Sequence, residues 1–151
     1  MTQGEIIQIL AAFAGSAGFC VLFNIRGIRL VGAAVGGLLS WTLFVILNKF
    51  IASEPVCYFV VAWAVSVYAE ILARVMKTPT TTFIIASLVP LIPGGSLYYT
   101  MSHAFGGDMD GFLQKGINTL QLASALALGV IVSSAISKVI GDMLKNKKLH
   151  K

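Results

Sequence analysis

The sequence predicts an all-α integral membrane protein, a bundle of five transmembrane helices whose fourth member is broken. Three observations carry that expectation. Of 151 residues, 57% are hydrophobic and 11% charged, against about 25% charged in an average soluble domain, and the mean hydropathy is +0.87. The apolar residues gather into five runs, near 6–23, 30–51, 56–75, 82–105 and 117–140; each is close to the ~20 residues that cross a bilayer, and none shows the strict alternation of a barrel strand. The fourth run is interrupted by prolines and glycines. This composition excludes an ordinary soluble protein, and the length fits one transmembrane domain over residues 1–151 with no separate catalytic module.

The first span opens with Thr2, Gln3 and Glu5 and no Lys or Arg ahead of them, unlike the basic start of a cleaved signal peptide, so it is expected to stay as the first helix. Its Gly15 and Gly18, and Gly32, Gly36 and Gly37 of the second span, stand at the three- and four-residue spacing that suits close helix packing. Cys20 and Cys57 lie in separate apolar runs without metal-ligand spacing or a CxxC motif, and read as small packing residues.

Lys and Arg concentrate in cytoplasmic loops. Arg26 and Arg29 follow the first span, Arg74 and Lys77 the third, and Lys138, Lys145, Lys147, Lys148 and Lys151 close the fifth; Lys49 and Lys115 alone fall on the other side. The amino terminus is therefore expected outside and the carboxyl terminus in the cytoplasm. The terminal LKNKKLHK reads as an anchor on anionic lipid, not as a nucleic-acid arm.

On the third span Glu70 precedes Arg74 by four residues, the order that favours an intrahelical pair. The pair lies near the cytoplasmic end and suits an interfacial anchor. The sharper reading is ion coupling, with Glu70 binding and releasing a proton and Arg74 tuning it or meeting a carboxylate, because ionisable groups inside a membrane are functional candidates by default.

The fourth span reads ASLVPLIPGGSLYYTM over residues 86–101. Pro90 and Pro93 each lack an N–H and clash with the carbonyl four residues back, freeing those of Ala86 and Val89, while Gly94 and Gly95 each lower helix propensity by about 1 kcal/mol. Two half-helices with an unwound joint are expected, about 18 Å from Thr81 and so near the bilayer midplane. Irregular backbone at that depth needs cover from protein or a water-filled cavity. Discontinuous helices present free amides and a positive dipole end to anionic groups. Ser96 is placed to cap the second half-helix, leaving the amides of Gly95, Ser96 and Leu97 for a carboxylate, with the hydroxyls of Tyr98 and Tyr99 nearby. The same residues also suit a kink that only shapes packing. PGGS lacks the length and the lysine of a P-loop.

GGDMDGFLQKG, residues 106–116, reads as the longest outside loop; Asp108 and Asp110 are too few oxygen ligands for calcium, and His103 at the outer interface has no partner for a metal. Asn24, Asn118, Gln121 and Ser124 read as hydrogen-bonding links between helices. No nucleophile–His–Asp set and no HExxH motif is present, so neither an enzyme nor a cofactor is expected.

Three motifs, FNIRG after the first span, AEILARVMKTP ending the third and LVPLIPGGSLYY in the fourth, together resemble the threonine/serine exporter family, specifically the short membrane subunit of its split, two-component members. The resemblance covers most of the chain. It implies a secondary exporter of small carboxylate metabolites, threonine and serine for some relatives and succinate-like dicarboxylates for others, in the bacterial inner membrane. It also implies a larger membrane subunit of the same family, or further copies of the chain, as partner. The family motif falls on Pro90, Pro93, Gly94, Gly95 and Tyr98, and on Glu70, Arg74 and Pro79. A structural or assembly subunit that does not transport, or a homo-oligomeric channel, remains the other reading.

Overall fold

The computed structural model describes residues 2–149, without the side chains of 142 and 144–149. Among these residues it is helical with no strand: α1 (Gln3–Leu22), α2 (Ile28–Leu47), α3 (Glu54–Met76), α4 (Thr80–Leu88), a 3-10 turn (Val89–Leu91), α5 (Gly94–Phe105) and α6 (Met109–Leu149). Four helices, α1, α2, α3 and α6, are long and apolar enough to cross a membrane; the fifth candidate is the pair α4–α5, bent by 55° at its break. Ile7, Leu22, Ile28, Val75, Leu120 and Ile131 stand exposed. An outer surface of aliphatic side chains on almost every helix is what a lipid solvent selects.

Three chain reversals share one chemistry. After α1, the Ile25 amide donates to the Cys20 carbonyl at 2.8 Å and the Asn24 amide to that of Val21 at 3.0 Å. After α3, Thr78 reaches Ala73 at 3.0 Å, and after α5, Asp108 reaches His103 at 3.0 Å. Each is a Schellman closure, which needs one residue in the left-handed region; Asn24, Lys77 and Gly107 supply it with φ of 57°, 48° and 74°. These closures keep the loops short.

The bundle is built around α3, the most buried of the long helices. One core joins α3 to the break and to α6 through Tyr58, Val61, Val65, Leu88, Leu91 and Leu122. A second joins α1, α2, α3 and α4 through Cys20, Ala33, Ala69, Phe83 and Ala86. Cys20 and Cys57 are buried thiols, the packing role expected of them.

The glycines divide. A Cβ on Gly36 would collide with Ser87 of α4, one on Gly37 with Ser16 of α1, and one on Gly32 would come within 2.6 Å of Leu72. Gly15 and Gly18, expected to pack likewise, face open space, because α1 turns its other side, Ala12, Ser16 and Cys20, to the bundle. On α6, Gly129, which the sequence reading passed over, lies against the main chain of α3. A Cβ there would stand 2.7 Å from the Phe59 carbonyl oxygen and 2.9 Å from the Trp63 amide nitrogen.

The expected long loop at 106–116 is corrected. The reversal is confined to Gly106–Asp108 and α6 begins at Met109, because Asp108 caps it: its Oδ1 accepts the Gly111 amide at 3.0 Å, the usual aspartate solution for unpaired amides of a first turn. His103 meets the other carboxylate oxygen at 2.9 Å. The Gly111 amide, with the His103 ring, holds the Asp108 carboxyl below its ordinary 3.8. A carboxyl lowered in the folded chain stabilises fully above its unfolded value and loses that contribution as pH falls through the folded one. Amide exchange at Gly111 is therefore expected to quicken, relative to the middle of α6, as pH drops below about 4. Unchanged relative protection down to pH 2 would overturn the capping role.

Of the lysine-rich end read as a lipid anchor, the side chains of Lys145, Lys147 and Lys148 and the whole of Lys151 lie outside the described residues.

Candidate functional site

Two polar places interrupt the apolar bundle, one at each end of α4. At its carboxyl end is the break. With the N–H of Pro90 and Pro93 missing, the chain tightens: the Ile92 amide donates to the Val89 carbonyl at 3.2 Å, taking up one of the freed acceptors, and the Gly94 amide turns back to the Ile92 carbonyl at 2.7 Å. Leu91 is fully buried and pins the turn to the core. Pro90 lines a hollow of about 270 Å³ with Gln8, Ala11, Ala12 and Trp41, and the Trp41 ring N–H donates to Gln8 Oε1 at 3.4 Å.

Beyond the break, α5 starts with Pro93 at its N-cap. Ser96 therefore lies inside the first turn and caps nothing; its carbonyl accepts the Thr100 hydroxyl at 2.8 Å. The Leu97 amide, expected to be available, donates to the Pro93 carbonyl at 3.0 Å. Proline's fixed φ suits a helix start, so the helix begins earlier than a serine cap would place it. In the first turn of α5, the amides of Gly95 and Ser96 have no backbone acceptor.

The break is covered on one side only. Pro90 and Leu91 turn toward α1, α2 and the core, whereas Ile92, Gly94, Gly95, Leu97, Tyr98 and Tyr99 are exposed. The two tyrosine rings stack edge to face at 5.5 Å. A Cβ on Gly94 or Gly95 would meet nothing within 4 Å, and neither has a positive φ. These glycines keep the outer surface of the chain low.

At the amino end of α4 lies a cleft of about 370 Å³ between α3, α4 and α6, lined by Glu70, Arg74, Thr80, Thr81, Ser137 and Lys138 among others. The intrahelical Glu70–Arg74 pair expected from spacing does not form; the ion pairs among the described residues are Lys49–Glu5 and His103–Asp108. Both side chains reach across to α6 instead. Arg74 Nη2 donates to the Ser137 hydroxyl at 2.6 Å and to its carbonyl at 3.3 Å, and the Ser133 hydroxyl donates to Glu70 Oε1 at 3.3 Å. The sequence reading missed Ser133, Ser137, Lys138, Thr80 and Thr81; the four-residue spacing of Ser133 and Ser137, matching that of Glu70 and Arg74, was the available signal.

The residues expected to bind substrate and those expected to couple an ion lie in different places. Glu70 and Arg74 stand at one end of the nine-residue α4, and Pro90 through Tyr99 at the other, ~14 Å of helix apart.

An all-helical, multi-pass chain with one discontinuous span is the architecture in which secondary transporters build their sites. The chain belongs to the Threonine/Serine exporter, ThrE, family, which matches residues 8–136 and so covers the break, Glu70 and Arg74, and most of α6. No curated protein and no solved structure matches the chain. It is accordingly a membrane transporter protein of the exporter type.

Proposed function

We propose that the chain is one subunit of a secondary exporter of small carboxylate metabolites, threonine and serine or succinate-like dicarboxylates, in the bacterial inner membrane, with the amino terminus outside and the carboxyl terminus in the cytoplasm. The substrate carboxylate is held at the break by the Gly95 and Ser96 amides, with Pro90, Pro93, Gly94, Tyr98 and Tyr99 shaping the place. Glu70 carries the coupling proton, with Arg74 one turn along the same helix as the second coupling residue. The observation that supports this most directly is the 55° break within an apolar span, with two amides left unpaired beside it.

The exposure of Gly94, Gly95, Tyr98 and Tyr99 on a single chain supports a partner that closes the site, either a larger membrane subunit of the family or a second copy. It also favours the second reading, in which this surface only positions a partner and moves nothing.

Gly94→Leu separates the two. Because a side chain there meets nothing within the chain, thermal stability is expected unchanged while export of labelled threonine, serine or succinate from proteoliposomes falls at least tenfold. The preparations compared are the chain alone and the chain with its partner. Glu70→Gln is expected to abolish the dependence of transport on a proton gradient. Wild-type preparations that associate tightly with a partner and yet move none of these compounds would sink the exporter reading and leave the positioning one.

A further inference from the structure

The charged cleft at the amino end of α4 is distinct from the break, and its chemistry is more specific. We propose that it is a second binding site, for a zwitterionic α-amino acid, holding the carboxylate between Arg74 and Lys138 and the ammonium on Glu70. It rests on the exporter reading only for its place in transport, as the station where substrate loads before it reaches the break.

Two opposite charges four residues apart on one helix ordinarily meet each other. Here each is drawn sideways onto a serine of α6: Glu70 to Ser133 at 3.3 Å, Arg74 to Ser137 at 2.6 Å. Ser133 and Ser137 are themselves one helical turn apart, so the positions that draw off the acid and the base stand about 5–6 Å from each other. The two charged groups of an α-amino acid sit on one carbon, and a hydrogen bond outward from each spans that gap. Held apart in this way, the two charges leave room for a ligand that carries both signs and pairs with each at once.

The other lining residues fit the same ligand. Lys138 adds a second cation beside Arg74, and Thr80, Thr81, Ser134 and Ser137 supply hydroxyls for a polar side chain. The volume of about 370 Å³ lies at the small end of ligand pockets. A dicarboxylate fits poorly, because its second carboxylate would face Glu70 and like charges at that range repel. The cleft lies within one chain, so its occupancy requires no partner.

The test is equilibrium binding to the full-length chain in nanodiscs, with labelled L-serine, L-threonine, 3-hydroxypropanoate and succinate as probes. 3-Hydroxypropanoate keeps the carboxylate and hydroxyl of serine and lacks the ammonium. Wild type is expected to bind serine at least tenfold tighter than 3-hydroxypropanoate and succinate more weakly still. Glu70→Gln should erase the preference by weakening serine alone, while Lys138→Gln, which leaves the Arg74–Ser137 bridge intact, should weaken serine and 3-hydroxypropanoate together. Failure of the wild-type chain to bind serine, equal affinity for serine and 3-hydroxypropanoate, or a Glu70→Gln effect equal on both probes overturns the site. Export that persists in Glu70→Gln with an unchanged KM for serine overturns the site while the exporter reading stands; binding as expected without transport in any preparation does the reverse.

Discussion

Replacing Pro90 and Pro93 together by alanine is expected to cut export more than tenfold while leaving the chain as stable as wild type or more so. A proline inside a helix costs about 3 kcal/mol, through the absent N–H and the clash with the preceding turn. Alanine at 90 restores a donor for the Ala86 carbonyl, and alanine at 93 restores one for the Val89 carbonyl, which now accepts from Ile92 at 3.2 Å in the tightened turn. The two half-helices then have every reason to join. Joining removes the 55° bend and draws the Gly95 and Ser96 amides into intrahelical bonds, so the place proposed for the substrate carboxylate disappears. The opposed directions set this apart from misfolding, in which stability and transport fall together. Thermal unfolding in one detergent, spin-label distances across the break and proteoliposome efflux measure the three quantities. A variant in which the labels report a straight helix and efflux continues at the wild-type rate would show that the break is not where substrate is handled.

How much of this was legible in the sequence depends on which interactions are local. The break was, because Pro90 and Pro93 act on their own backbone and on the carbonyls one turn back, whatever surrounds them. The apolar helices were, because a backbone in lipid must satisfy itself within its own helix. The start of α6 was not: GGDMDG has the composition of a loop, and only the fold shows Asp108 Oδ1 taking the Gly111 amide at 3.0 Å. The cap of α5 was misplaced for a related reason, since Ser96 is the usual capping type and Pro93 is not, yet the tightened turn before the helix already sets its start. Contacts between helices were least legible. The spacing of Glu70 and Arg74 says that they share a face, but their rotamers are decided by Ser133 and Ser137 on a helix sixty residues away. Likewise the spacing of Gly15 and Gly18 is as good as that of Gly32 and Gly36; only the second pair faces a neighbour.

That contrast fixes the largest structural effect expected. Gly129→Leu should lower the unfolding temperature sharply and remove serine binding at the cleft, whereas Gly15→Leu should do neither. Gly129 is buried against the main chain of α3: a Cβ would stand 2.7 Å from the Phe59 oxygen, 2.8 Å from the Ala62 Cβ and 2.9 Å from the Trp63 nitrogen. None of these atoms is the end of a flexible side chain, so the strain can be relieved only by moving one helix away from the other. Overpacking a core typically costs about 1–3 kcal/mol, and a contact with backbone on both sides belongs at the upper end. Ser133 and Ser137 follow Gly129 by one and two turns of the same helix, so a displacement of α6 there also lengthens the 3.3 Å contact to Glu70 and the 2.6 Å contact to Arg74. The acid and base are then free to meet each other across one turn of α3, which closes the pair to a ligand. At Gly15, where nothing lies within 4 Å, the same leucine adds only lipid-facing surface. Melting curves of the two variants in one detergent, read beside serine binding in nanodiscs, decide the matter: equal melting temperatures would mean that α3 and α6 do not meet at Gly129, and a destabilised Gly129→Leu chain that still binds serine would mean that the cleft does not depend on the serines of α6.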